Sequence, residues 1–353
     1  MKENIIFTGG GTAGHVMPNI ALFPYFDNYQ LHYIGSNGME KNILSPYTNV
    51  VFHEIECVKL SRSLSLKNLL IPLKLHASIN QAKRILKEVS PLFVFSKGGY
   101  VGLPVAIACK QLSIPLFLHE SDKTLGLANK VAKNNAEILF TSFDTLKTKN
   151  SLYVGSPIRK EIYRGNAMRA LNFLNAQKNN KPFLLFVCGS SGAQSINSFV
   201  FEHLNTLTEK YNVIHVTGKN EKRIYRKQDY YQVAYSNNIE DLYALSSFVV
   251  TRGGANALSE LIALKKLCVC IPLSKATRGD QIENAKYYES KGAIIKLDQS
   301  ALTLSSLLSS LDLLNKNKDS YLSAMKNLSI DGTKAIVENI RKRTEFLAKG
   351  HEF

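Results

Sequence analysis

Acid is scarce in this 353-residue chain, where 28 Asp and Glu stand against 44 Lys and Arg for a formal charge of +16. The imbalance favours contact with nucleic acid, anionic lipid or phosphorylated substrates without choosing among them. Long apolar runs are missing as well. No segment reaches the roughly 18 uncharged apolar residues of a membrane span, and "MKENIIFTGGG" has a lysine but no apolar secretory core, so membrane contact is expected to be peripheral. The cysteines are few and odd in number: Cys57, Cys109, Cys188, Cys268 and Cys270 lack paired metal-ligand spacing. They are expected to be reduced core residues of a cytoplasmic protein, with no metal site and no bound cofactor. Proline is sparse too, with 10 residues against 21 glycines and 45% hydrophobic residues, a globular composition and neither a disordered nor a fibrous one. The length exceeds what one hydrophobic core usually supports, so two domains are expected.

What is present is an alternation of short apolar runs with helix-length segments. "NIIFT", "QLHYIG", "VVFHEI", "LFVFS", "PLFLH" and "EILFTS" form a first series, and "FLLFVCG", "YNVIHVTG", "YQVAYS", "SFVVTR", "LCVCIP" and "GAIIKL" a second. Near-continuous apolar strands need cover on both faces, which predicts two α/β domains, each a parallel sheet beneath helices. The join is expected between residues 155 and 181, where "GSPIRKEIYRG" gives way to "NAQKNNKP". Ligands of open parallel sheets bind beyond the carboxyl ends of the strands, so the loops after the first strand of each series point to an interdomain cleft. At the C-terminus, Asp331 is available to cap an amphipathic helix that reads as structural cover; its periodicity leaves open which domain it covers.

Those two loops carry the chemistry. "TGGGTAGHVMP", residues 8–18, leads from the first strand into a helix, so backbone N–H groups and His15 are available to an anion. It is neither a convincing dinucleotide fingerprint, since "IGSNGME" supplies no ribose-binding acid at the right place, nor a P-loop, since it lacks Gly-Lys-Ser/Thr. In the second series, "CGSSGAQS" and "TRGGANALSE" repeat the device. Gly253 and Gly254 precede a helix whose first turn can hold a diphosphate, and Glu260 either accepts sugar hydroxyl protons or lies on a solvated helix face.

Taken together, "GGTAGH" (10–15), "SKGGYVGLP" (96–104), "LHES" (118–121), "GSSGA" (189–193), "TRGGANALSE" (251–260) and "DQIENA" (280–285) resemble the MurG family of bacterial peptidoglycan glycosyltransferases over nearly the full length. The resemblance implies a GT-B fold of class α/β, with two Rossmann-like domains and an interdomain cleft. Residues 1–158 would hold the lipid acceptor and 159–332 the nucleotide sugar; residues 333–353 would form the C-terminal helix, for which packing on the N-terminal domain is one candidate destination. It implies inverting transfer of GlcNAc from UDP-GlcNAc, a substrate and not a cofactor, to the muramoyl 4-hydroxyl of undecaprenyl-diphosphate-MurNAc-pentapeptide, at the cytoplasmic face of the inner membrane. Anionic phospholipid and other peptidoglycan-synthesis proteins are the further partners it suggests. The alternatives are a related GT-B transferase with another donor or acceptor, and a non-enzymatic nucleic-acid-binding protein. Against the last, the chain has no zinc module, aromatic RNA-binding signature or long basic tail, so no specific nucleic-acid partner is expected.

Position by position, the resemblance carries Thr12, Ala13, Gly14, Arg159, Ser190, Ile239, Arg252, Ala255, Asn256, Ala257, Leu258, Ser259, Glu260 and Gln281 to donor binding. Tyr100, Asp122, Asn129 and Asn197 fall at acceptor or site-supporting positions. His15 is either the acceptor-side base or an orienter of phosphate, and His119 with Glu120 is either a base assembly or a support. Glu260 suits the donor ribose, because a carboxylate accepts from two hydroxyls, and Gln281 offers an amide donor and acceptor to the sugar. Arg252 binds either the diphosphate or a neighbouring carboxylate. The chain departs from the family at Ala13, at Ser121-Asp122 and at Cys188 and Ser191; Asp122 puts a carboxylate where the family has an amide.

Between Lys59 and Lys87 the chain has seven Lys and Arg and no acid, around "LSLKNLLIPLKL". Lys59, Arg62, Leu66, Lys67, Leu69 and Leu70 are the membrane-contact candidates, apolar side chains inward and ammonium groups toward lipid phosphate; the alternative is an ordinary packed helix with a basic outer face. Pro72 divides a short patch from a longer helix running to about Lys87.

Overall fold

The structure is a computed structural model describing residues 2–57, 71–177, 179–189, 192–273, 279–328 and 330–349. It divides into two compact units, one formed by Met1–Arg159 with Asp331–Phe353 and the other by Lys160–Ile330.

The first unit runs β1 (Asn4–Thr8), α1 (Ala13–Leu22), β2 (Gln30–Gly35), α2 (Met39–Leu44), β3 (Val50–Glu54), α3 (Ile71–Val89), β4 (Val94–Ser96), α4 (Gly99–Leu112), β5 (Leu116–Glu120), α5 (Leu127–Ala132), β6 (Ile138–Thr141) and β7 (Ser151–Tyr153). The second runs α6 (Ala167–Leu174), β8 (Phe183–Val187), α7 (Gln194–Glu202), α8 (Leu204–Lys210), β9 (Asn212–Val216), β10 (Tyr230–Val233), α9 (Ile239–Leu245), β11 (Phe248–Thr251), α10 (Ala255–Ala263), β12 (Leu267–Cys270), α11 (Asp280–Ser290), β13 (Ile295–Lys296), α12 (Leu304–Lys316) and α13 (Lys318–Lys326). The chain then returns to the first unit as α14 (Thr333–Lys349). Every apolar run of both series contributes a strand. The short edge strand β7 was not expected; it has one partner, β6, and Leu152 lies 37% exposed, so no apolar run marks it.

All strand pairs in the two sheets are parallel, in the orders β3-β2-β1-β4-β5-β6-β7 and β10-β9-β8-β11-β12-β13. Strand alternation divides the first core into two layers. Ile5 and Phe7 point to one face, with Phe95, Phe117 and Phe140, while Ile6 points to the other, with Val94, Leu116 and Leu139 beneath α3 and α4. The phenylalanines pack as a slab, with Phe93 and Phe117 edge to face at 5.5 Å. Four cysteines are buried and Cys57 is half-buried, all unpaired. Pro72 falls in the first turn of α3, where a missing N–H costs nothing; the six membrane-contact candidates from Lys59 to Leu70 lie outside the described residues.

Helix α14 completes the phenylalanine layer. Ile336, Val337 and Ile340 are buried in it, Arg343 pairs with Glu137 at 2.7 Å, and Arg341 donates to the Tyr25 carbonyl at 2.6 Å. Asp331 accepts from the Thr333 N–H at 3.0 Å, and Thr333 Oγ1 accepts from the Ile158 N–H at 2.8 Å, so the helix start is tied to the chain's exit from the first unit. No described helix is long and apolar enough to cross a membrane. An Ile340→Ala variant is expected to lose about 2–4 kcal/mol of stability by leaving a cavity under α14. A urea midpoint equal to that of the wild type would remove α14 from the core.

Candidate active site

In each sheet the strand order reverses once, between β1 and β4 in the first and between β8 and β11 in the second. Crossovers on the two sides of such a point leave to opposite faces, so the loops beyond it part and form a crevice at the carboxyl ends. Both glycine loops read from the sequence lie there.

In the first unit, β1 ends in Thr8 and the glycines turn into α1. Gly11 has φ +90, and a side chain there would collide with the Tyr100 ring. That close approach explains the glycine as a packing requirement. Behind the loop, the fully buried Glu40 carboxylate accepts from Ser36 N and Oγ at 2.9 and 2.5 Å and from Gly11 N at 3.3 Å. Tyr100 reaches the same Ser36 hydroxyl at 3.2 Å. Glu40, the acid of "IGSNGME", is therefore a brace for the loop, a role its position in the sequence did not reveal.

Thr12 is the N-cap of α1, but its hydroxyl makes no cap bond and lies 3.0 Å from His15 Nδ1. This contact orients the imidazole in the first turn, where the helix has no acidic residue and its positive end faces the crevice. Ala13 and Gly14 open the same turn. Asn19 fixes the turn from below, donating to the carbonyls of Thr8 and His15 at 3.1 and 3.2 Å.

His119 and Glu120, at the end of β5, are placed differently. His119 is fully buried; Nε2 lies 2.9 Å from the Gly155 carbonyl, and Nδ1 lies 2.5 Å from Lys97 Nζ. The carbonyl can only accept, so Nε2 donates and Nδ1 receives the lysine proton. Neither nitrogen is then presented to a sugar hydroxyl. Glu120 accepts from Asp122 N, Gly126 N and Asn129 Nδ2 at 3.1, 2.8 and 3.0 Å, and Asn129 also holds the His119 carbonyl at 3.0 Å. Burial, then the charge of Asp122, pushes the Glu120 carboxyl up against those hydrogen bonds. Lys97, absent from the sequence reading although it stands in "SKGGY", is the centre of this group: it also donates to Ser121 Oγ at 2.6 Å, and burial pushes its ammonium down to about 7 against the pull of Glu120 and Asp122. These contacts tie His119, Glu120 and Asn129 into the loop.

In the second unit, Gly192 has φ +73 and leaves no room for a side chain beside the Thr217 carbonyl. Ser190 lies outside the described residues. The Arg252 guanidinium donates to the Ile271 carbonyl at 3.0 Å, Gln299 Oε1 at 2.8 Å and Ser195 Oγ at 2.9 Å. It clamps the ends of β11 and β12 to the start of α7. Gly254 caps α10, whose first turn has no acidic residue. Ala255, Leu258 and Ser259 pack inward, whereas Asn256, Ala257 and Glu260 are half-buried, and the four-residue spacing puts Asn256 and Glu260 on one face. Gln281 Oε1 accepts from Leu273 N at 3.0 Å, which fixes the amide plane and turns its NH2 group the other way.

Asn197 is buried, donating to the Thr217 carbonyl and Glu221 and accepting from His215, so it supports the loop from within. Ile239 begins α9 half-buried, and Arg159 is the last residue before the chain enters the second unit. Among the described residues there is no group of three or more His, Cys, Asp or Glu that could hold a metal ion.

With this geometry in view, two family models cover most of the chain: the glycosyltransferase family 28 N-terminal domain over residues 5–141 and the family's C-terminal domain over residues 183–340. The chain belongs to glycosyltransferase family 28. Among family 28 relatives, a Clostridium tetani protein is 39% identical, covering 97% of this chain and 98% of its own length. A Clostridium perfringens protein is 40% identical over the same shares. Both are named UDP-N-acetylglucosamine--N-acetylmuramyl-(pentapeptide) pyrophosphoryl-undecaprenol N-acetylglucosamine transferase. Acinetobacter baumannii MurG superposes with a TM-score of 0.75 at 21% identity, over 96% of this chain and 99% of that one. The kitacinnamycin glycotransferase does so at 0.76 and 12% identity, over 97% and 99%. The fold of this family 28 chain is GT-B, with two Rossmann-like units.

Buried histidines set the acid limit of the fold. Burial lowers His119 well below its ordinary range and His215 to about 3, so both are neutral when folded and become protonated near 6.5 when unfolded. Their contribution is complete above pH 6.5 and is lost as pH falls below it, by about 1.4 kcal/mol per pH unit for each histidine. Urea midpoints should therefore drop between pH 7.5 and 5.5, and a flat profile would contradict the assigned neutral states.

Proposed function

We propose that the chain transfers GlcNAc from UDP-GlcNAc to the muramoyl 4-hydroxyl of undecaprenyl-diphosphate-MurNAc-pentapeptide, releasing UDP with inversion at the anomeric carbon. The observation that carries this reading is the near-full-length likeness to transferases named for that donor and that acceptor. The switch-point crevices with their acid-free helix N-termini support it, because both substrates are diphosphates.

In this reading the first unit takes the lipid-linked acceptor, with Tyr100 on the acceptor side and Thr12, Ala13 and Gly14 bordering the donor, and the second takes the nucleotide sugar. His15, oriented by Thr12, accepts the proton of the 4-hydroxyl as its oxygen attacks the anomeric carbon from the face opposite UDP. The bond to the diphosphate oxygen breaks, and its electron pair leaves with UDP, whose charge is met by the N–H groups at the start of α10. Glu260 accepts from the ribose hydroxyls, and the Gln281 NH2 group donates to the sugar. Arg159, Ser190, Ile239 and Ala255 to Ser259 border the donor. Arg252, Asn197, His119, Glu120 and Asn129 position loops, and Asp122 adjusts the charge beside Lys97 and Glu120.

The enzyme works peripherally at the cytoplasmic face of the inner membrane, where the acceptor's polyprenyl tail resides, with Lys59, Arg62, Leu66, Lys67, Leu69 and Leu70 against anionic phospholipid. Other peptidoglycan-synthesis proteins are its further partners.

Purified protein given a panel of labelled nucleotide sugars and the lipid acceptor should add one GlcNAc and release one UDP per acceptor, resolved by mass spectrometry; glycosylation of a different acceptor only would replace the assigned substrate. His15→Ala is expected to slow transfer by about 10²–10⁴-fold with donor affinity retained. Equal losses of binding and transfer would make His15 an orienter. Reversing the charges of Lys59, Arg62 and Lys67 should abolish sedimentation with anionic liposomes while transfer to a short-chain soluble acceptor persists; intact sedimentation would dismiss this membrane patch.

A further inference from the structure

The second unit carries a cationic cavity that the proposed transfer leaves without a task. It has a volume of 440 Å³, and Lys210, Lys265, Lys266, Lys318, Tyr211 and Asp312 are among the residues that line it. It also borders Phe248 and Leu267, the first residues of β11 and β12, and Pro182 just before β8. The donor loops follow the last residues of the same strands. Because the strands are parallel and four to five residues long, cavity and donor loops lie at opposite ends of the sheet, about 13–17 Å apart along it.

Three observations mark the cavity as built for an anion. First, four lysines, of which Lys210, Lys265 and Lys318 are exposed and Lys266 is half-buried, stand around the single exposed carboxylate of Asp312, and none of these five groups makes an ion pair among the described residues. Second, Lys266 is half-buried with its ammonium on two carbonyl oxygens, Ser246 O at 3.1 Å and Ala244 O at 3.4 Å, and burial lowers its pKa with no carboxylate to offset the charge. A cation held in this way is stabilised by any anion that enters. Third, Lys265 sits at φ +54 just past the end of α10, where glycine is the residue of lowest cost. A lysine there carries a backbone cost that glycine does not. That cost is understandable if the side chain is needed.

Lys318 opens α13, a nine-residue helix whose N-cap, Asn317, makes no side-chain cap bond and whose first turn also holds Asp319. Phe248, Leu267, Leu311 and Leu322 give the lining an apolar part against which an uncharged body can rest. We infer that this cavity is a second ligand site, separate from the donor loops and independent of the transferase reading, that binds a phosphate group attached to a small uncharged body.

Such a phosphate can belong to a soluble metabolite or to a lipid headgroup, and two arms separate the sources. In the first, glycerol 1-phosphate is titrated calorimetrically into the full chain and into a Lys265→Gly, Lys318→Ala double variant, with glycerol as the uncharged control. In the second, both proteins are sedimented with phosphatidylglycerol or phosphatidylcholine vesicles. Glycine at position 265 relieves the backbone, so the variant should unfold at a temperature no lower than the wild type. Its affinity should nevertheless fall about ten-fold or more in the arm that binds. Loss in the first arm identifies a soluble phosphate, and loss confined to phosphatidylglycerol vesicles identifies a headgroup. Equal binding by the two proteins, or binding by the wild type in neither arm, overturns the inference.

Discussion

The parallel pairing of every strand in the two sheets is the constraint from which the rest follows. A parallel strand can be reached only by a crossover, and a crossover must cover the sheet, so both faces become apolar and every carboxyl end emerges on the same edge. Helices then begin on that edge with unsatisfied N–H groups, and where the strand order reverses, two neighbouring helices start on opposite faces. The glycine turns before α1 and α10 occupy those two places, so the anion-binding ends arise from topology before any side chain is considered.

Side chains then decide what each crevice can do, and most of the polar ones hold the loops in shape. Glu40, Asn19 and Tyr100 brace the first glycine turn, and Lys97 links the β4 loop to the β5 loop through His119 and Ser121. Arg252 ties three segments of the second unit by oxygens alone, none of them a carboxylate oxygen. Buried polar groups of this kind are costly when unpaired, and their dense pairing keeps irregular backbone rigid beside the sheet. A rigid loop holds N–H groups where a diphosphate will be, and that preorganisation is the protein's part in stabilising a leaving group. His15 is half-buried in the first turn of its helix, with Nδ1 3.0 Å from the Thr12 hydroxyl.

Within the second unit, the opposite edge of the sheet has a different character. There the strands begin, loops carry no glycine fingerprint, and four lysines collect around a single carboxylate, Asp312. The +16 charge of the chain is thus partly local, gathered around a cavity, and the question composition left open about anionic partners acquires a place in the structure.

The amino-acid sequence by itself determined the two α/β units, twelve of the thirteen strands and the two glycine loops, because buried parallel strands are continuous apolar runs and tight strand-to-helix turns demand glycine. Motifs in a fixed order also carried the family. Strand β7 escaped notice because an exposed edge needs no apolar run, and the destination of α14, with the first domain as one candidate, stayed open because periodicity shows that a helix has a buried face without showing which sheet receives it. Only tertiary structure showed the partners of Glu40, Lys97, His119 and Arg252. Each is a charged or titratable residue beside a glycine motif, and sequence treats all such residues alike. What separates a brace from a reactive group is whether its polar atoms are already satisfied inside the fold, and that depends on partners up to 57 residues away in the chain.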